Sequence, residues 1–268
     1  MKQKVIYYQD ELNDEFAGVV RNTIKIDNDY EYIKKSSLWN LTSFFVHRII
    51  MIPVAFIYTK LKFHHKVINK KVLKQAKDSG YFLYGNHTLM GGDAFIPNVV
   101  GLPKRTYTVV HPDNLSKKGI KTFLEMNGAL PTPATSGAMK NFINAIEKRV
   151  IEGNVIQIYP EAHIWPYYTK IRPFKSISFR YPVKFDEPTF CFTNTFHKRK
   201  FSKKPKVITY VDGPFYPDKS LPAKEQELDL RNQVYNAMCE RAKLNTYEYV
   251  KYIKKENTND KHNDSGEL

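Results

Sequence analysis

Tyr81-Phe82-Leu83-Tyr84-Gly85-Asn86-His87-Thr88-Leu89-Met90-Gly91-Gly92-Asp93 is the stretch on which the reading of this chain turns. Four apolar residues stop at Gly85-Asn86, and so abrupt a break reads as a buried strand opening into a loop. Loops at strand ends are where rigid scaffolds display reactive groups. His87 can take up and return a proton near neutral pH, where its unperturbed charge change lies. Asp93, beyond Gly91-Gly92, is placed to hold that ring in one tautomer. The plainer alternative is a structural histidine beside an aspartate.

Val155-Ile156-Gln157-Ile158-Tyr159-Pro160-Glu161-Ala162-His163 repeats the layout: strand-like residues, a break, then a carboxylate. Pro160 ends a ladder by removing a donor, which leaves Glu161 near the carboxyl edge of a sheet. Both polar clusters would then face the crevice where open α/β sheets bind ligands. Outward from these two stretches, strands are expected at 81–84, 106–110, 154–158, 189–195 and 207–211. Helices are expected at 66–78, 117–126, 137–151 and 222–253. The alternation predicts an α/β fold with a largely parallel central sheet flanked by helices.

Residues 36–58 form the one strongly apolar region, nearly long enough to span a bilayer. Arg48 and Pro53 interrupt it. Ser36, Asn40, Ser43 and His47 recur at helical spacing as a narrow polar stripe, while Leu38, Trp39, Leu41, Phe44, Phe45, Ile49 and Ile52 take most of the remaining surface. That pattern predicts a membrane-interface helical motif instead of a span, followed by Lys60, Lys62, Lys66, Lys70 and Lys71 for anionic head groups. A helix buried against the domain is the competing reading. The expected organisation is an N-terminal extension (1–35), an interface anchor (36–65), an α/β domain (66–253) and a disordered polar tail (254–268).

Lysine and arginine number 42 against 27 acidic residues, a formal charge of +15. This favours acidic partners: nucleic acid, an anionic membrane, or phosphorylated or acidic carrier substrates. No reading helix or RNA-binding signature accompanies the charge, so nucleic acid is not expected. His197-Lys198-Arg199-Lys200-Phe201-Ser202-Lys203-Lys204-Pro205-Lys206 reads as either a solvated hairpin loop or a patch facing lipid or substrate. Two separate cysteines, Cys191 and Cys239, make no disulfide framework and point to a reducing interior. Residues 1–35 carry charge throughout, so no cleavable signal is expected. Phosphate-loop, dinucleotide, His-Glu-x-x-His and Gly-x-Ser-x-Gly patterns are absent, and the histidines are too scattered to suggest a metal site.

Four stretches recur in a telling order: Gly85-Asn86-His87 with Asp93, Gly128-Ala129-Leu130-Pro131, Tyr159-Pro160-Glu161, and Glu187-Pro188-Thr189-Phe190-Cys191. From about residue 36 to about residue 215 the chain resembles the glycerophospholipid acyltransferases of the lysophosphatidic acid acyltransferase type. The resemblance implies transfer of a fatty acyl group from a thioester, acyl-CoA or acyl carrier protein, to a hydroxyl of a lysophospholipid. Lysophosphatidic acid is the expected acceptor, in phospholipid biosynthesis and with no cofactor beyond the co-substrate. His87 would be the general base and Asp93 its orienting acid, with Asn86, Gly128, Pro131, Pro160 and Glu161 on the substrate. The implied location is the cytoplasmic face of a membrane, monotopic or peripheral, among anionic lipids.

Three departures qualify the carry-over. Five residues separate His87 from Asp93 where the family has four, and Gly91-Gly92 could absorb the extra one. Ala162-His163-Ile164 stands where the family has Gly-Thr-Arg, and Thr132-Pro133-Ala134 stands near a missing arginine. The acceptor's phosphate would then fall to Lys170, Arg172, Lys175 and Arg180, with Arg172 and Arg180 the forked ligands. A rival reading is a peripheral membrane protein that kept this fold and lost catalysis.

Overall fold

The computed structural model describes residues 3–16, 18, 24–116 and 119–255. A seven-stranded sheet has the order β2-β8-β7-β3-β6-β4-β5, and β1 with β9 forms a second, two-stranded sheet. The strands are β1 (Lys4–Tyr8), β2 (Lys66–Ile68), β3 (Tyr81–Gly85), β4 (Thr106–Val110), β5 (Ala129–Pro131), β6 (Val155–Ile158), β7 (Thr189–Arg199), β8 (Ser202–Phe215) and β9 (Val250–Lys254). Every pairing is parallel except β7 with β8. The largely parallel α/β architecture is therefore the expected one. Its central strands read as unbroken apolar runs because both faces are covered. All five residues of β3 are buried.

The alternation of β3 divides the core. Phe82 and Tyr84 point to the face covered by the Ser136–Ile151 and Ala223–Ala242 helices. Tyr81 and Leu83 point to the face that carries Phe63, Leu89, Ile96 and Phe192. Gly85, at the end of β3, lies under the Phe192 ring: a Cβ there would come within 2.1 Å of it.

Two expected helices are corrected. Residues 66–78 are not one helix, because Asn69 takes a left-handed conformation (φ 62°) between β2 and a 3₁₀ segment, Lys70–Ala76. Residues 222–253 are helical only as Ala223–Ala242. Asn245 Nδ2 caps the Ala242 carbonyl at 2.7 Å, and the aromatic run beyond it becomes β9. The expected helix at 117–126 is present as Lys121–Met126, with residues 117 and 118 outside the described residues. The segment expected as an extension supplies β1, which pairs from Lys4↔Val250 to Tyr8↔Lys254. The expected polar tail lies outside the described residues from residue 256 onward.

Residues Ser37–Phe63 form one helix, long and apolar enough by length and composition to cross a membrane. Its middle, Val46–Met51, is wound as π-helix just before Pro53. A proline in a helix interior lacks its N–H and crowds the preceding turn, and widened turns accommodate it. The buried row is Ser43, His47, Met51, Ala55, Thr59 and Phe63. Four-residue steps drift by about 40° each on a regular helix, and the π turns offset part of that drift.

The inner half of the polar stripe, Ser43 and His47, therefore faces the protein, while Ser36 and Asn40 stay exposed. Ser43 Oγ donates to Met126 O (2.8 Å), His47 Nε2 meets Asn98 Oδ1 (3.1 Å), and Arg48 Nη2 donates to Pro103 O (2.7 Å). The outer face is the apolar one. Ten large side chains from Leu38 to Leu61 are between 44% and 73% exposed.

His47 and His65 make the fold acid-sensitive. Burial, the largest cause in each, depresses both imidazoles from 6.5 to about 4, and neighbouring cations add to it. The native state thus holds them neutral while the unfolded chain protonates near pH 6.5. Stability is fully present above 6.5 and falls as pH drops toward 4, by up to about 1.4 kcal/mol per pH unit per histidine. Urea unfolding at pH 7.5 and pH 5 should show this loss. A His47→Asn, His65→Gln double variant should have a flatter profile between those values.

Candidate active site

β3 and β6 are adjacent and parallel, with Tyr84 paired to Ile158, so their carboxyl ends present Asn86-His87 and Tyr159-Pro160-Glu161 side by side. His87 Nδ1 lies 2.8 Å from Asp93 Oδ2. The ring stacks on Tyr159 with centroids 4.2 Å apart and planes at 13°. Tyr159 in turn donates its hydroxyl to Asp93 O at 2.7 Å. Ring, acid and tyrosine close one triangle. An Asp accepting at Nδ1 leaves Nε2 unprotonated and able to take a proton. Nε2 makes no hydrogen bond among the described residues, and the His87 side chain keeps 16% of its surface exposed.

The extra residue between His87 and Asp93 is absorbed in a turn. Asp93 N–H donates to Leu89 O and Leu89 N–H donates to Asp93 Oδ2, both at 2.9 Å. Gly91 sits at φ +75°, and a Cβ on it would come 2.6 Å from the Tyr58 hydroxyl. A Cβ on Gly92 would meet Leu89 Cβ at 2.8 Å. Both glycines are therefore needed for the loop to close. Asp93 is 4% exposed, and burial pushes its carboxyl above the ordinary range, opposed by its bond to His87.

Glu161 is buried and faces the backbone. Its Oε2 accepts the His87 N–H and its Oε1 accepts the Arg172 N–H, each at 2.8 Å. Buried at 4% exposure, it braces the His87 loop from behind. Burial pushes its carboxyl up, and the Arg172 charge opposes this. Asn86 is also internal: its amide donates to Asn194 O (3.1 Å) and accepts from Asn194 N–H (2.8 Å), pinning β3 to β7. Pro160 is half-buried at the end of β6. Ala162 holds φ +63°, a strained value for a residue with a Cβ.

Arg172 is a correction. It is 1% exposed, and its Nη1 donates to Glu11 O at 3.3 Å while Nη2 donates to Glu161 O at 3.1 Å and to His163 O. Its guanidinium also lies 4.9 Å over the Trp165 ring. A fork this buried, with its outer nitrogens on main-chain carbonyls, is out of reach of a phosphate. Arg180 belongs to the opposite face of the sheet, against Met139 Sδ (3.4 Å) and the Tyr181 hydroxyl (3.1 Å). Lys170 and Lys175 are exposed.

Gly128 and Pro131 lie apart from His87. β5 is three strands from β3, or about 14 Å at ordinary strand spacing. The Gly128 N–H donates to Glu125 O and its carbonyl accepts from Thr108, so neither group is free. Pro131 O accepts from the Tyr32 hydroxyl at 2.8 Å.

Trp165 was not singled out by the sequence reading. Its N–H donates to His87 O (3.1 Å), and Tyr167 N–H donates to Thr88 O (2.8 Å). The indole is fully buried, with Tyr8 from β1 and Tyr252 from β9 at centroid distances of 4.8 and 5.2 Å. Its Nε1 donates to Asp14 O at 2.8 Å. The two terminal strands thus clamp the segment that holds the His87 loop. The aromatic density of Trp165, Tyr167 and Tyr168 was the available signal.

No protein-family model matches the chain, and no curated protein matches it in sequence. Among solved structures it is similar to the crystal structure of the 1-acyl-sn-glycerophosphate (LPA) acyltransferase PlsC from Thermotoga maritima. The two are 14% identical with a TM-score of 0.50, covering 78% of this chain and 97% of that one. At that identity the likeness is one of fold, and the fold of this chain is acyltransferase-like.

Proposed function

We propose that this protein transfers a fatty acyl group from a thioester to a hydroxyl of a lysolipid. The observation that carries the reading is the His87 ring, oriented by Asp93 at Nδ1 and open at Nε2. No protein hydroxyl or thiol bonds Nε2 among the described residues, so the nucleophile arrives with the substrate. Cys191 is fully buried, with its thiol pushed up by that burial. His87 takes the proton of the acceptor hydroxyl as its oxygen attacks the thioester carbonyl. Asp93 stabilises the resulting imidazolium. The oxyanion is met by the N–H groups of Met90, Gly91 and Gly92, which make no backbone hydrogen bond among the described residues. Collapse expels the thiolate, which recovers the proton from His87.

The acceptor in this reading is a lysophosphatidic acid, the donor is acyl-CoA or acyl carrier protein, and the apolar helix lies in the interface of an anionic membrane. The helix docks on the domain from Ser43 to Phe63, so a span would draw that face of the domain into the bilayer. Ten half-exposed apolar side chains entering the interface supply on the order of 10 kcal/mol.

The test is to incubate the vesicle-bound protein with acyl-CoA or acyl carrier protein and a panel of lysolipids, then read products by mass spectrometry. Diacyl product from lysophosphatidic acid is expected. If every pairing yields only intact substrates or hydrolysed thioester, the reading fails, and the chain is a membrane-binding protein of this fold.

A further inference from the structure

The tip of the β7–β8 hairpin projects a large apolar ring into solvent. Phe201 is 90% exposed, more than any other large apolar side chain among the described residues. Around it, Lys198, Lys200, Lys203 and Lys204 are all exposed, and Lys200 Nζ sits 5.2 Å from the centroid of the Phe201 ring. Six cations and no acidic residue lie between His197 and Lys206.

The tip is also tied to the apolar helix. Arg199 Nη2 donates to Lys62 O at 2.7 Å and to Pro205 O at 2.9 Å, joining the hairpin to the last turn of that helix. Leu61, in the same turn, is 73% exposed. Neither Lys62 nor Arg199 pairs with a carboxylate among the described residues. Apolar side chains bracketed by uncompensated cations match the boundary of an anionic bilayer, with rings among the acyl chains and ammonium groups at the phosphates.

We infer that the hairpin tip is a second point of bilayer contact, inserting Phe201 below the head groups while its lysines hold anionic lipid. This rests on the reading that the apolar helix lies on a membrane, and it adds what one helix cannot supply. A single helix leaves the domain free to roll about its axis, whereas two contacts fix the roll. They bring down the Met90–Gly92 turn, which abuts Tyr58 and Lys62 at the same helix end, so that a lysolipid reaches His87 from the surface.

The experiment uses the full chain carrying Trp39→Phe, with buried Trp165 as an unquenched reference. Phe201→Trp and Ile57→Trp are made separately in this background. Each is bound to vesicles of phosphatidylglycerol and dibrominated phosphatidylcholine. Quenching of both new indoles is the expected result. Lys200→Ala, Lys203→Ala and Lys204→Ala together should lower partitioning onto these vesicles about a hundredfold, since each basic residue near the surface contributes about fivefold. On purely zwitterionic vesicles the triple variant should match the parent. Quenching at position 57 without quenching at 201 overturns the hairpin contact and leaves the helix reading standing. Quenching at neither position overturns both.

Discussion

Replacing His87 with alanine should lower acyl transfer by about 10²–10⁴-fold, the ordinary contribution of a positioned general base. Melting temperature and vesicle binding should stay close to those of the parent. The ring is partly exposed, and its loss leaves Asp93 with the Leu89 N–H still on Oδ2. Turnover above about a tenth of the parent's, with saturating thioester and acceptor, would show that proton removal lies elsewhere.

Arg172→Ala should act on the fold first. Its guanidinium holds three main-chain carbonyls, lies over Trp165 and faces the Glu161 carboxylate, whose Oε2 is 3.8 Å away. Removing one member of a buried ion pair leaves the other uncompensated and costs about 3–5 kcal/mol. For a domain of this size that lowers Tm by roughly 10 °C. Catalysis should fall with it, because Glu161 also holds the His87 N–H. A substrate-binding arginine behaves differently, raising KM for a phosphorylated acceptor while leaving Tm alone. Arg180→Ala, on the far face, should leave both within a factor of about two. A raised KM with an unchanged Tm in Arg172→Ala would restore the phosphate role that the geometry denies it.

Much of the arrangement was legible from the residues. Apolar runs ending in Gly85-Asn86 and Tyr159-Pro160 mark the two strands whose carboxyl ends meet, because buried parallel strands leave an unbroken apolar signature. The His87 and Asp93 pair was legible as chemistry, but its geometry was not. Whether an extra residue is absorbed depends on one positive φ at Gly91, and composition permits that value without requiring it. The polar stripe of the apolar helix was visible, yet periodicity gives the existence of a face and not its partner. Ser43 and His47 turn inward because Met126 O and Asn98 Oδ1, on the Lys121–Met126 and Ile96–Gly101 helices, wait there. Arg172 reads as a free cation until the fold surrounds it with carbonyls from residues 11, 161 and 163. β1 and β9 escaped for a related reason: each is short, and its only strand partner lies at the other end of the chain.

The clamp on Trp165 also imposes an order on synthesis. β9 follows His87 by more than 160 residues, yet Tyr252 forms one wall around the Trp165 indole, and the backbone N–H of Trp165 holds the His87 carbonyl. A nascent chain therefore exposes its apolar helix early and can settle on a membrane while translation continues. Its histidine loop lacks that wall until the strand at residues 250–254 has emerged and paired with β1. On the proposed function docking precedes competence: a ribosome stalled within the last helix is expected to leave a chain that binds vesicles and shows no acyl transfer.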